Sequence, residues 1–268
     1  MTSTPGINRT DSAVRIVSLY PDLLGTYGDG GNALVLSRRL EWRGIAVEHI
    51  TVDAGAPVPD SADLYLVGGG EDGPQVQATR ELERSQGLHR AVDKGAVVLA
   101  ICAGMQILGH RFPDATGTSC SGLGLLDCET VRVNRPRAVG ELLTTNARIT
   151  TAHGLVELGP LTGFENHAGR TVPGSNAVSL ASVEVGEGNG DGSEGVVTGT
   201  VVGTYLHGPA LARNPRLADA LLEWIVGPTA MTTLDDGDVN ALRAERIHAA
   251  QEHELAPRRS WRDILRRS

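Results

Sequence analysis

The chain has 268 residues, of which 40% are hydrophobic and 21% are charged, and its formal net charge is −8. This composition indicates a globular protein with one large core and excludes a collagen-like or low-complexity chain. The acidic balance argues against a general nucleic-acid-binding surface, and no apolar run reaches the roughly 18 residues that a membrane helix needs.

Short apolar runs alternate with segments of helical period, which is typical of βα units that build a mainly parallel sheet. After Gly122 the pattern changes to short strands with turns. We therefore predict an α/β domain over 14–228, preceded by a disordered leader (1–13) and followed by a C-terminal helix and charged tail (229–268). The predicted elements are strand 14–20, helix 31–43, strands 45–52 and 64–69, helix 75–93, strand 96–101, the apolar run 196–208, and helices 217–226 and 239–255.

Residue types exclude several mechanisms. Lys94 is the only lysine and lies in AVDKGAV, so the chain has no P-loop, and we expect any ATP-dependent step to belong to another chain. The three cysteines form no C-x-x-C pair, which fits neither a disulfide framework nor a common zinc site and favours a reducing cytoplasm.

The segment AVVLAICAGMQILGH (96–110) carries the sharpest signal. An apolar strand ends at Cys102, and Ala103 and Gly104 lead into a helix, as in a nucleophile elbow. We expect the helix N-terminus to lower the pKa of the Cys102 thiol, and the Ala103 N–H to face a developing oxyanion. From this segment alone, a nucleophile and a buried core cysteine both remain open.

A cysteine nucleophile needs a base, and the chain has eight histidines. His207 is our choice because it ends the apolar run VVGTYLH and precedes Gly208, at the carboxyl end of a strand where α/β sheets bind ligands. His167, in GFENHAGRT, is the runner-up, and we interpret that motif as a structural turn at the rim of the site.

Two loops complete the predicted site. The glycines of VGGGEDG (67–73) follow a strand and can offer a second oxyanion N–H, which we assign to Gly69, although an ordinary flexible turn would look the same. We interpret Asp22, Asp29 and Asn32, in the first loop, as caps of the following helix.

With GGG, ICAGMQ and TYLHG in this order, the sequence resembles class I glutamine amidotransferases of the cobyric-acid-synthase-like branch. The segments YPDLLGTYGDGGN, SGLGLLD and GFENHAGRT extend the resemblance to glutaminase subunits of lipid II isoglutaminyl synthases, over nearly all of 14–226. The resemblance implies a three-layer amidotransferase fold with a mainly parallel central sheet. It also implies that Cys102 is the nucleophile and His207 the general base and acid.

The resemblance further implies a basic residue after SGLGLLD that holds glutamine. Arg137 fits best, but Arg135 stays open because Asn-Arg-Pro-Arg admits a one-residue slip. The wider class I family has a glutamate two residues after its base. Here that position is Pro209, which leaves a Cys-His dyad.

The same resemblance implies a cytoplasmic complex that works at the inner face of the membrane. The chain would pass ammonia to a Mur-ligase-like MurT subunit, which would bind ATP and magnesium and amidate D-glutamate of lipid II, so we expect no cofactor on this chain. Open alternatives are a glutaminase subunit for another acceptor such as a corrinoid, a γ-glutamyl cysteine hydrolase, and a non-catalytic binding module. The tail over 236–268 could dock on a partner or be a charged disordered segment.

Overall fold

A computed structural model describes residues 12–26 and 28–255. Nearly all of the predicted leader, and the basic end beyond 255, lie outside these residues. The elements are β1 (Val14–Leu19), α1 (Gly30–Glu41), β2 (Val47–Val52), β3 (Leu64–Val67), α2 (Asp72–Ser85), α3 (Gly87–Asp93), β4 (Val97–Ile101), α4 (Ala103–Leu108), β5 (Arg111–Pro113), β6 (Ser119–Ser121), β7 (Cys128–Arg132), β8 (Ala138–Thr145), β9 (Ala147–Thr151), β10 (Gly154–Gly159), β11 (Thr162–His167), β12 (Gly169–Pro173), β13 (Ala181–Val185), β14 (Ser193–Glu194), β15 (Val196–Thr198), β16 (Val201–Thr204), α5 (Ala210–Arg213), α6 (Pro215–Val226), a 3₁₀ turn (Pro228–Ala230) and α7 (Gly237–Leu255).

The core of the molecule is a six-stranded sheet with the order β15-β16-β4-β3-β1-β2. All neighbouring pairs are parallel except β15 and β16, which form an antiparallel edge. β4 is buried at every position because it has a neighbour on each side and apolar residues throughout. The predicted α/β class with a mainly parallel sheet is confirmed, and β4 brings Cys102 to the carboxyl end of that sheet.

Two predicted elements are divided in the structure. The helix over 75–93 is interrupted at Gln86, whose φ of 54° lies in the left-handed region and ends α2 before α3 begins. The apolar run 196–208 contains β15 and β16, with a turn at Gly199 (φ 56°), and its last strand ends at Thr204. Each break has a glycine, Gly87 after Gln86 and Gly199 between β15 and β16, but the apolar residues on either side continue the same pattern, which hid the breaks.

Three smaller sheets lie outside the central sheet, and the smallest is the antiparallel pair β10-β9. One has the order β11-β8-β13-β14, and another, of mixed direction, has the order β12-β7-β5-β6. β11 also bridges the chain after β16, because Phe164 and His207 exchange backbone hydrogen bonds of 3.3 and 2.8 Å. This bridge joins the small sheets to the segment that carries His207.

The C-terminal helices are predicted correctly to within two residues at each described boundary. α6 packs on α1, and α7 lies against β8, β11 and β13. In the described part of the chain, no helix combines the length and apolar character needed to cross a bilayer.

A buried arginine on α1 connects these helices. Arg39, whose side chain is 4% exposed, donates from Nε and Nη2 to Asp219 on α6 at 2.6 and 2.7 Å. It donates from Nη1 and Nη2 to Asp236, just before α7, at 2.7 and 2.8 Å. Two carboxylates thus share one guanidinium across three segments of the chain.

Replacing Arg39 by Met should lower the free energy of unfolding by about 3 to 5 kcal/mol, because Asp236 would lose its partner in a partly buried site. Urea denaturation would measure this. Arg38→Met is the matched control, since Arg38 is exposed and its pair with Glu41 is worth about 0.5 kcal/mol. Equal losses in the two variants would show that the Arg39 fork contributes no more than a surface pair.

Candidate active site

Cys102 lies at a strained turn between β4 and α4. Its φ of 49° and ψ of −106° form a backbone conformation that residues with a side chain rarely adopt. Its N–H donates to the Thr204 carbonyl at 2.8 Å, and α4 begins at the next residue. A Cβ at Gly104 would lie 2.4 Å from the Val67 carbonyl oxygen, so α4 can start this close to β3 only with glycine there. The predicted strand-to-helix elbow is present.

The thiol of Cys102 is protonated in this environment. Burial raises its pKa to about 12, the Ala103 N–H acts against this rise, and the charge of Asp29 adds to it. The expectation of a lowered pKa is therefore wrong for this structure. The cost of removing a thiolate from water exceeds the stabilisation that one backbone N–H and the N-terminus of a six-residue helix supply.

Cys102 lines a cavity of about 140 Å³. The structure thus brings three predicted residues together, since Ala103 and Arg137 line the same cavity. Amide, guanidinium and backbone groups around the thiol suit a small polar substrate. Further lining residues include Gly70, Gln75, Gln106, Asn166 and His167.

The structure separates the two candidate arginines. Arg137 donates from Nη2 to the Asn166 carbonyl at 3.0 Å and from Nε to the Asn166 side-chain oxygen. The Sγ of Cys102 lies 3.9 Å from the same carbonyl oxygen. Arg135 instead pairs with Glu187 at 2.9 Å and is not among the residues that line the cavity. Position therefore favours Arg137 as the residue that faces a substrate.

The glycine loop differs from the prediction. The Gly69 N–H donates to the Oδ2 of Asp29 at 2.6 Å, so this amide is not available to an oxyanion in this conformation, and Gly70 lines the cavity instead. The capping expectation for the first loop is also wrong. The Asp29 side chain makes no cap on α1, Asp22 accepts from the Ala54 N–H, and Asn32 accepts from the Leu211 N–H.

His207 lies in the bridge to β11, three residues beyond the end of β16, and is 2% exposed. Burial lowers the pKa of its imidazole to about 4, and the nearby charges of His167 and Arg137 act in the same direction. His207 is therefore neutral near pH 7, the form that a general base requires. His207 is not among the residues that line the cavity. It follows Thr204, whose carbonyl accepts the Cys102 N–H, by three residues.

The motif GFENHAGRT forms strand β11 and a buried contact between Glu165 and His167, so its interpretation as a turn was wrong. Glu165 accepts from the Glu187 and Gly188 N–H groups at 2.8 and 3.0 Å and lies 3.2 Å from the Nε2 of His167. The other ring nitrogen of His167 lies 3.0 Å from the Gly169 carbonyl oxygen. Glutamate and histidine two residues apart in a strand share one face, which was the available signal.

Buried polar residues hold the segment that leads to His207. Glu194 accepts from the Thr204 hydroxyl at 2.5 Å and the Tyr205 N–H at 2.9 Å, and burial raises the pKa of its carboxyl to about 7. The Tyr205 hydroxyl accepts from Gln106 on α4 at 3.2 Å, and Gln106 accepts from Gln75 on α2 at 2.9 Å. These residues were not predicted, because a buried polar partner leaves no periodic signal in the sequence.

In the residues that the structure describes, no group of three or more His, Cys, Asp or Glu side chains is placed to hold a metal ion. The expectation of ATP and magnesium on a partner stays a prediction.

The chain matches the model of the CobB/CobQ-like glutamine amidotransferase domain over residues 15–215. It is 33% identical over 210 residues to the lipid II isoglutaminyl synthase (glutamine-hydrolyzing) subunit GatD of Staphylococcus aureus strain N315, covering 78% of this chain and 82% of the relative. The subunit GatD of the same name from Streptococcus pneumoniae strain R6 is 34% identical over 216 residues, covering 78% and 79%.

A crystal structure of a glutamine amidotransferase superposes with a TM-score of 0.53 at 19% identity, covering 78% of this chain and 98% of that chain, which shows a shared fold. The chain belongs to the CobB/CobQ-like glutamine amidotransferase family and is a glutamine-hydrolysing enzyme.

Proposed function

We propose that this chain is the glutaminase subunit of a lipid II isoglutaminyl synthase, with Cys102 as nucleophile and His207 as general base. The observation that carries the mechanism is the strained elbow, which places Cys102 beside Arg137 in one cavity. The similarity to GatD subunits over 78% of the chain supports the choice of acceptor.

Arg137 is the residue we assign to the α-carboxylate of glutamine. A guanidinium has five N–H donors in a fixed plane, and two of its nitrogens, Nε and Nη2, already bond Asn166. Asn166 therefore fixes the plane of the guanidinium, and the remaining donors can meet a carboxylate as a pair.

The reaction begins from a neutral pair, since burial keeps the Cys102 thiol protonated and His207 unprotonated. His207 takes the thiol proton as Sγ attacks the amide carbon of glutamine, and the Ala103 N–H donates to the oxyanion. The imidazolium then gives its proton to the leaving nitrogen, which departs as ammonia and leaves a thioester. Water, deprotonated by His207, attacks the thioester and releases glutamate and the thiol.

Ammonia would then pass to a Mur-ligase-like MurT partner that uses ATP and magnesium to activate the α-carboxyl of D-glutamate in the lipid II stem peptide. Amidation there gives D-isoglutamine, in peptidoglycan synthesis at the inner face of the membrane. The absence of a P-loop from the sequence fits this division, because activation of a carboxylate by ATP belongs to the other subunit.

The first experiment measures glutamate release and amidated lipid II, with the chain alone and with its Mur-ligase-like partner, ATP and magnesium. Cys102→Ala should abolish both products, and Cys120→Ala, at a partly exposed cysteine outside the cavity lining, should abolish neither. Cys102-dependent glutamate release without amidated lipid II would point to another acceptor, such as a corrinoid. Turnover of γ-glutamyl peptides by the chain alone would point to a γ-glutamyl cysteine hydrolase, and glutamine-driven activity that survives Cys102→Ala would point to a binding module.

Substitution of the two arginines should separate binding from turnover. Arg137→Lys should raise the KM for glutamine about tenfold or more with a smaller effect on kcat, because a paired charge-assisted contact worth about 1.5 to 3 kcal/mol is lost. Arg135→Lys, in the same segment, should leave KM unchanged. A larger effect at Arg135 would reverse the assignment.

Alkylation of Cys102 by iodoacetamide in the free chain should keep rising with pH through pH 9. The raised pKa means that the thiolate fraction is small near pH 7 and grows with each further unit of pH. Peptide mapping by mass spectrometry would follow Cys102, with Cys120 as an internal reference for reagent access. A plateau of the Cys102 rate below pH 8 would contradict the expected protonated thiol.

A further inference from the structure

Asp29 is a buried carboxylate in the loop before α1 that the reaction described above does not use. It is 6% exposed, and its Oδ2 accepts the Gly69 N–H at 2.6 Å from 40 residues away along the chain. Although it occupies the N-cap position of α1, its side chain makes no cap hydrogen bond there. The Asp29 side chain therefore bonds the glycine loop and does not cap its own helix.

The first loop and the glycine loop meet backbone to backbone. A Cβ at Gly68 would lie 1.8 Å from the Leu24 carbonyl oxygen, and one at Gly70 would lie 2.8 Å from that of Leu23. The absence of side chains allows this approach but leaves glycine peptides free to rotate. The short contact from Gly69 to Asp29 is a polar tie that restrains the peptide just before Gly70.

Gly70 lines the cavity with Cys102, and Gly69 precedes it. The chain over 68–71 forms neither helix nor strand, and Glu71, just before α2, is extended with φ −85° and ψ 162°. The bond to Asp29 occupies the Gly69 N–H, which leaves Gly70 as the glycine of this loop whose amide borders the cavity. We propose that Asp29 is a positioning residue that sets the Gly70 N–H as the second oxyanion donor, with Ala103 as the first. This inference rests on the proposed Cys102 mechanism.

The proposed role of Asp29 is that of a hydrogen-bond acceptor, and this role does not need a negative charge. A negative charge near Cys102 disfavours the thiolate, and the charge of Asp29 adds to the raised pKa of that thiol. Burial also raises the pKa of the Asp29 carboxyl itself, to about 6. Asparagine has an acceptor oxygen at the same position, so Asp29→Asn should still bond the Gly69 N–H while removing the charge.

The test compares Asp29→Asn, Asp29→Ala and the control Asp22→Ala, in the full chain with its ligase partner. Asp22 lies in the same loop and also accepts a backbone N–H, that of Ala54, which is not in the glycine loop. Asp29→Ala should lower kcat about 100-fold with little change in KM for glutamine, because a displaced oxyanion donor acts on the transition state. Asp29→Asn and Asp22→Ala should keep kcat near that of the parent.

Iodoacetamide alkylation of Cys102 gives a second readout, because it needs a thiolate but no oxyanion donor. Both Asp29 variants should be alkylated at least as fast as the parent, since both remove a negative charge near the thiol. A fall in kcat with unslowed alkylation, in Asp29→Ala alone, supports the proposal.

Three results would overturn it. These are full activity in Asp29→Ala, an equal loss in Asp29→Asn, and an equal loss in the Asp22→Ala control. Cys102→Ala, run in parallel, distinguishes a failure of the Asp29 proposal from a failure of the proposed Cys102 mechanism. If it retained glutamine turnover, the proposed mechanism would fail whatever the Asp29 variants did.

Discussion

The backbone of Cys102 occupies a region that costs about 1 to 3 kcal/mol, and the site depends on the contacts that hold it there. The hydrogen bond from its N–H to Thr204 ties the turn to β16, and Gly104 allows α4 to lie against β3. At Gly203 a Cβ would meet the Met105 side chain at 2.4 Å, so α4 also packs directly on β16. Cys102 is therefore fixed by three neighbouring strands, and several of the residues that fix it are glycines, which the sequence does not mark as part of a site.

β3 and β4 are continuous apolar runs, and β1 is nearly so, because parallel strands covered on both faces bury almost every side chain; all three lie within two residues of the predicted limits. The boundaries that were not predicted have physical causes as well. Gln86 ends α2 by adopting a left-handed conformation, which is not expected of glutamine because it favours helices. Thr204 ends β16 three residues before His207 although the apolar pattern continues, because the next residues bridge β11 instead of extending the β4 pairing.

The residues of the site also divide into those that a local sequence pattern predicts and those that depend on distant partners. Cys102 and Ala103 follow from a local pattern, in which a buried strand, small residues and a helix succeed one another. The hydrogen bond that occupies the Gly69 N–H does not, because its acceptor is Asp29, which is distant in sequence. The burial of Arg39, and that of the Glu165 and His167 side chains, was not predicted for a related reason. A charged residue alone predicts exposure, and only its partners, far along the chain, make burial possible.

Burial acts on the two reacting groups in opposite directions, and the consequence is a resting state without charge. It raises the pKa of the Cys102 thiol and lowers that of the His207 imidazole, so transfer of the proton between them is uphill in the free chain. Arg137 favours the thiolate yet disfavours a protonated His207, so it cannot by itself stabilise the ion pair. The carboxylate of bound glutamine would neutralise Arg137 and ease protonation of His207, while the oxyanion donors would stabilise the charge that moves onto the substrate. In the proposed reaction, charge therefore develops in the site only once glutamine is bound.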